Sequence, residues 1–342
     1  MEKNRISIPA LPIAVALLIS VTLELSANPQ PEPKYASSVH PEIVEEAMNY
    51  YKNGDGALFT EISGTDIANM KTGSYDEDRL YLRSYHHFYD RAHNLGLTIG
   101  DTSYVSAKDW AFNQYSNIPG GVHTWRTAID NIQGIGNGTG SREKAFIDLG
   151  HVLHLIQDMT VPAHARNSLH ITDFYEDWTP KYFSGKYYVD PEGYLRDAGA
   201  GYAHMLSGTS PPGRFASLEE YFDALSSFSQ ENFYSDDTID RFIVGNAGSP
   251  DPDGLTLQAD VILDNPYDKK KFDGTYLFYY RELVDDGKTI RYRVAAETIF
   301  GKSTKNIFVV QDYYKILYRK AMMATAGVVG LFLDKVSANP PP

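Results

Sequence analysis

A histidine-rich segment between Gly150 and Asn167 carries the residues best suited to chemistry in this sequence. His154 and Asp158 are four residues apart, so in a helix their side chains lie on one face. Pro162 would end such a helix, and His164 follows on a turn that can fold back toward the same face. Imidazoles and carboxylates at this spacing form a ligand set that suits zinc.

The helix that must position these groups is predicted to run from about Arg142 to Met159. Its aliphatic stripe consists of Ala145, Leu149, Val152, Leu153 and Ile156. A surface helix is the alternative, but further apolar residues outside the stripe make this helix more apolar than a surface helix needs to be. We therefore expect its polar cluster to be buried, where titratable groups need partners or a metal.

The segment resembles the core motif of the zinc-dependent phospholipase C and S1/P1 nuclease superfamily, in its bacterial phospholipase C-like branch. The motif reads His154-xxx-Asp158-xxx-Pro162-x-His164-Ala165-x-Asn167. Further segments agree with the family in their order along the chain, namely His40-Pro41-Glu42-Ile43, Glu77-Asp78, His87-Phe88-Tyr89-Asp90 and Asp173-Phe174-Tyr175-Glu176. The resemblance thus extends from about residue 40 to residue 176, with the final helix as a weaker match.

Members of this family bind three zinc ions in a cleft of an all-helical fold. The metal ligands that the resemblance implies in this chain are His40, Asp78, His87, His154, Asp158, His164, His170 and Glu176. The first zinc would be held by Asp78, His87, His154 and Asp158. A second would use His164 and Glu176 with another histidine, and a third would use His40 with Asp158 as a bridging carboxylate.

The sequence departs from the family pattern at three places. The family usually has a histidine four residues before the glutamate; this chain has Thr172 there, and His170 is predicted to substitute. The family's third zinc also uses an N-terminal tryptophan, and no tryptophan precedes His40. Asp76 is an alternative to Asp78, because the aspartate lies closer to the following histidine than in the best-known bacterial phospholipases.

The resemblance implies hydrolysis of a phosphate ester. Clustered zinc ions lower the pKa of bound water to about 7, and the zinc-bound hydroxide would attack the phosphate ester without a covalent enzyme intermediate. Asp78 would be the catalytic residue that accepts a proton from the attacking water. We expect a phospholipid substrate, with transient contact to a membrane surface. The alternatives are a single-strand nuclease of the P1/S1 type and a secreted zinc-binding protein without turnover.

The composition restricts the partners and the ligand types. The 342 residues include 31 Lys and Arg against 44 Asp and Glu, a net charge of −13. This balance argues against a stable complex held to nucleic acid by general phosphate attraction. The absence of cysteine excludes disulfides, thiolate zinc sites and cysteine nucleophiles, so histidines and carboxylates must supply any metal ligands.

The N-terminus has the features of a secretory signal. Lys3 and Arg5 precede an apolar run from Ile6 to about Leu23, and small residues around Ala27 offer a cleavage site. We therefore predict a signal peptide at 1–27, an extended leader at 28–39 and a tail at 336–342, in a secreted or periplasmic protein. The alternative is an uncleaved membrane anchor, and we expect no other segment to span a membrane.

Residues 40–335 are predicted to form one all-α domain of the phospholipase C/P1 nuclease type. A small β-hairpin is predicted as an insertion at about 256–300, because two segments rich in Tyr, Val and Ile (275–281 and 289–294) flank Asp286-Gly287. A last helix is predicted at 311–333. Whether the aromatic residues of the hairpin pack internally, line a cleft or contact lipid is left open by the sequence.

Overall fold

The computed structural model describes residues 36–53, 61–79, 81–169, 173–176, 179, 188–189, 195–196, 215–239, 255–262, 274–285, 287–298 and 301–338. The chain divides into two units, Met1–Pro33 and Lys34–Pro342, and every element described here belongs to the second. The predicted signal peptide, the leader up to residue 35, the last four residues of the tail and His170 lie outside the described residues.

The helices carry most of the described chain. They are α1 (Ala36–Asn53), α2 (Gly64–Glu77), α3 (Tyr81–Ser84), α4 (Ala107–Phe112), α5 (Trp125–Gln133), α6 (Arg142–Asp158), α7 (Pro162–Ala165), α8 (Leu218–Asn232) and α9 (Ile307–Ala338). The predicted helix of the histidine motif is confirmed as α6. Its side chains are buried almost all round, as the excess of apolar residues indicated.

The strands form antiparallel sheets. They are β1 (Thr98–Ile99), β2 (Thr102–Ser103), β3 (Tyr188–Val189), β4 (Leu195–Arg196), β5 (Thr256–Ile262), β6 (Gly274–Asp285), β7 (Lys288–Thr298) and β8 (Gly301–Ser303). The last four form one sheet in the order β5-β6-β7-β8, and the others form two separate pairs. The predicted hairpin is confirmed as β6 and β7, in which Asp285 pairs with Lys288.

The prediction of an all-α fold is wrong. About 53% of the described structure is helix and 17% is strand, so the protein has a mixed α/β architecture. The predicted hairpin is only the centre of a larger sheet, because β5 and β8 pair with its two outer edges. Strand β5 begins at the start of the predicted insertion but was not predicted as a separate strand, and β8 has only three residues.

Helix α9 lies at the centre of the core and contacts α1, α6 and β7. It is longer than the predicted 311–333. Contrary to the prediction that no segment after the signal peptide could span a membrane, this helix is long and apolar enough to do so. However, 83% of its most apolar window is buried inside the protein. Packing in the core therefore accounts for its apolar composition.

On the sheet, Phe278 and Tyr279 are buried against this core, so the aromatic hairpin residues serve packing.

Two helices deliver Asp78, His154 and Asp158 to the candidate site. Ser63 begins α2 with a capping box that includes Asp66, and α2 ends at Glu77 so that Asp78 is its C-cap. Ser141 caps the start of α6, which ends at Asp158. Because α2 and α6 pack against each other, the residues at both C-terminal ends come together.

Candidate metal centre

The carboxylate of Asp158 lies at the middle of a cluster of four buried histidines. Its Oδ1 is 3.1 Å from Nδ1 of His164 and 3.5 Å from Nε2 of His40. Its Oδ2 is 3.2 Å from Nδ1 of His87 and 3.3 Å from Nε2 of His154. Each oxygen of this carboxylate therefore faces a different pair of imidazoles.

Two further predicted ligands extend the cluster. Oδ1 of Asp78 lies 3.4 Å from Nε2 of His154 and 3.6 Å from Nδ1 of His87. Oε1 of Glu176 lies 3.2 Å from Nε2 of His164. The structure thus brings together every predicted ligand that it describes, and His170 is the one outside the described residues.

Asp76, the alternative to Asp78, does not point into this cluster. Its Oδ1 accepts a hydrogen bond from Nη1 of Arg79 at 3.0 Å, three residues along the chain at the surface. The carboxylate of Asp78 is instead buried among the histidines. The geometry therefore favours Asp78.

Contacts with neighbouring elements orient two of the histidines. Nδ1 of His154 is 2.8 Å from the carbonyl oxygen of Ser74 in α2, so it donates there and leaves Nε2 toward the cluster. Nδ1 of His40 is 2.8 Å from Oε1 of Gln157, whose amide donates to Thr325 in the core helix α9. Hydrogen bonds of this kind select the tautomer of a metal-binding imidazole.

The cluster offers the donor atoms that a metal site needs. Nε2 of His87, Nε2 of His154 and both oxygens of Asp158 are buried and have no hydrogen-bond partner among the described residues. Buried polar atoms without a partner are costly, and a cation would satisfy most of them. Two groups offer ligand atoms within 4.8 Å of one another: His40 with Asp78 and His154, and His87 with His154 and Asp158. These buried groups could hold a metal ion.

The electrostatics divide the histidines into two kinds. Burial, with a smaller contribution from His154, lowers the pKa of His40 to about 4, and burial likewise lowers the pKa of His87 to about 4. Burial also acts on His154 and His164, but attraction by the adjacent carboxylates outweighs it and raises the pKa of each to about 10. The same attraction holds the pKa of Asp158 well below its usual range despite its burial. Without a metal, the carboxylates therefore hold protons on two of the four imidazoles.

A second layer of polar groups lies behind the cluster, and no role was predicted for these groups from the sequence. Its centre is Glu77, whose carboxylate is fully buried and pairs with Arg83, Trp110 and His151. The only sequence feature that pointed to Glu77 was its position directly before Asp78, which is a predicted ligand. Arg83 lies six residues further on, a spacing at which no helical pairing rule applies.

No family model matches the chain, and no curated protein matches it either. The family that the motifs resemble therefore stays a prediction.

Proposed function

We propose that this protein is a secreted zinc-dependent phosphoric diester hydrolase of the phospholipase C type. The observation that carries the proposal is the carboxylate of Asp158, whose two oxygens face two different pairs of histidines. A carboxylate in this arrangement can bridge two cations held close together, the arrangement that in-line displacement at phosphorus uses. The order of the sequence motifs along the chain supports the same reaction class.

The donor atoms support zinc as the metal. Each is an imidazole nitrogen or a carboxylate oxygen, and the chain contains no cysteine. Zinc accepts this mixture at low coordination numbers, whereas magnesium and calcium favour sites built from oxygen alone. We propose that two ions would share Asp158. His40, Asp78 and His154 could hold a third ion.

The most accessible of the described cluster members are Asp78, His164 and Glu176. These three are 7–8% exposed, whereas the other described members are at most 2% exposed. Bound zinc supplies a Lewis acid for phosphoryl oxygens and a water of lowered pKa. Asp78 would accept the proton, since the neighbouring histidines lower its pKa despite burial and its carboxylate therefore stays ionised. As one of the more accessible members, it would take that proton from a water beside the substrate.

The overall charge suggests that substrate binding, and not only the chemical step, depends on the metal. The chain carries a net charge of −13, which repels an anionic phosphodiester. Three of the seven described cluster members are themselves carboxylates: Asp78, Asp158 and Glu176. Divalent cations at these carboxylates would reverse the local sign of the potential, and we therefore expect weaker substrate binding without metal.

The test is diacylglycerol release from phosphatidylcholine vesicles by the mature protein, with zinc and with excess chelator. We expect release with zinc, its loss with chelator and its recovery when zinc is restored. The same preparation is then offered single-stranded DNA. Cleavage of DNA without release of diacylglycerol would show that the protein is a nuclease and not a phospholipase. Stoichiometric zinc without either activity would replace it by a binding protein without turnover.

A further inference from the structure

Glu77 is the centre of a buried polar network immediately behind the candidate metal centre. Its Oε1 accepts hydrogen bonds from Nε1 of Trp110 at 3.0 Å and from Nε of Arg83 at 3.2 Å. Its Oε2 pairs with Nη2 of the same arginine and lies 2.6 Å from Nδ1 of His151. Donors thus approach both oxygens from fixed directions, and the carboxylate cannot turn to bind a metal itself.

His87 connects this network to the cluster. Its Nδ1 faces Asp158 at 3.2 Å and Asp78 at 3.6 Å, on the metal-binding side. Its other ring nitrogen, Nε2, points the opposite way and lies 3.6 Å from Oε1 of Glu77. This nitrogen is buried and has no hydrogen-bond partner among the described residues. The imidazole thus lies between the metal ligands and a fixed carboxylate.

We propose that Glu77 is a positioning residue that accepts the Nε2 proton of His87 and thereby leaves Nδ1 of His87 for the metal. The inference rests on the metal centre proposed above. A metal-binding histidine commonly donates its second N–H to a carboxylate, which fixes the tautomer and increases the basicity of the ligand nitrogen. At 3.6 Å the two atoms are further apart than in a hydrogen bond, and the contact shortens into one when Nδ1 engages the metal.

Two consecutive residues in the sequence supply the carboxylates on either side of His87. Glu77 ends α2 and Asp78 follows it as the helix cap, so consecutive carboxylates reach the two nitrogens of one imidazole. Arg83 compensates the buried charge of Glu77, which would otherwise be too costly to keep in the core. A purely structural ion pair between Glu77 and Arg83 is the competing explanation, and it predicts no effect on the metal or on the tautomer of His87.

The experiment compares Glu77→Gln with the matched control Asp148→Asn. Asp148 is also a buried carboxylate, and it pairs with His123, which stacks on His151 at 4.1 Å, but it contacts no predicted ligand among the described residues. Zinc affinity is measured on the metal-free proteins by competition with a chelating dye. We expect Glu77→Gln to bind zinc about 10- to 100-fold more weakly and Asp148→Asn to bind as the wild type does. Thermal unfolding of both metal-free variants shows whether they fold.

A spectroscopic measurement on the wild type keeps the inference testable if Glu77→Gln does not fold. Long-range ¹H–¹⁵N NMR spectra of the zinc-loaded wild type report which ring nitrogen of His87 carries the proton. We expect the proton on Nε2. A proton on Nδ1, or unchanged zinc affinity in a folded Glu77→Gln variant, would overturn the role of Glu77 and leave the proposed function intact. Absence of zinc binding by the wild type would overturn both.

Discussion

A side-chain carbon placed on Gly73 would lie 3.1 Å from the Cα of Gly150, so helices α2 and α6 cross with backbone against backbone. The same carbon would overlap a carbonyl oxygen of α6, and a carbon on Gly150 would overlap a carbonyl oxygen of α2. Neither position has room for a side chain. Because α2 leads to Asp78 and α6 leads to Asp158, this close crossing sets the separation of the two carboxylates.

Replacing Gly73 by Ala is expected to separate the helices and disturb the cluster. We expect the free energy of unfolding to fall by about 1–3 kcal/mol, the usual cost of overpacking a core, and zinc affinity to fall with it. The matched control is Gly64→Ala in the same helix, where an added carbon meets nothing within 4 Å. Urea unfolding and zinc titration of both variants test this. Equal stability of the two variants would show that the crossing tolerates a methyl group.

The sequence predicts which buried histidines and carboxylates come together better than it predicts the fold. His154 and Asp158 share a helical face through local spacing alone, and α6 was placed from its periodicity. The four-stranded sheet was missed because β8 has only three residues and because residues 263–273 separate β5 from β6, although Leu257, Ala259 and Val261 of β5 alternate with polar residues. The role of Gly150 was also hidden, since a glycine within a helix signals a close approach only when the other helix is known.

Asp158→Asn is expected to remove most of the bound zinc and most of the activity. The amide of Asn offers the metal one neutral oxygen in place of the two oxygens of a carboxylate. The four surrounding histidines would also lose the negative charge of Asp158. Zinc content after gel filtration, measured by elemental analysis, is the direct readout, with diacylglycerol release as the second. Near-normal turnover by this variant would exclude the bridging role of Asp158.

Zinc binding near pH 7.5 is expected to release about two protons. His154 and His164 have a pKa of about 10 in the folded metal-free protein, so both hold a proton that zinc must displace. Titration calorimetry in buffers with different ionisation enthalpies measures the number released. His40 and His87, with a pKa of about 4, are already neutral and release none. Binding without proton release would contradict the charge state assigned to His154 and His164.

The metal-free protein is expected to be most stable near pH 6.5. His154 and His164 are raised above the ordinary value of 6.5, so their contribution is complete below that pH and is lost as the pH rises toward 10. His40 and His87 are lowered, so the folded state resists their protonation and loses stability as the pH falls from 6.5 toward 4. Urea unfolding across this range tests the optimum, and stability that rises steadily from pH 6.5 to 9 would contradict it.

Asp78→Asn separates the proposed proton acceptor from a simple metal ligand. We expect its kcat to fall by about 10²- to 10⁴-fold at saturating zinc, the typical contribution of a general base, because an amide cannot accept the proton. Asp76→Asn, two residues earlier at the surface, is the matched control and should keep wild-type kcat. Zinc content measured on the assayed samples distinguishes the two roles. If zinc-replete Asp78→Asn keeps its kcat within about 10-fold, less than a general base contributes, Asp78 only binds metal and another group accepts the proton.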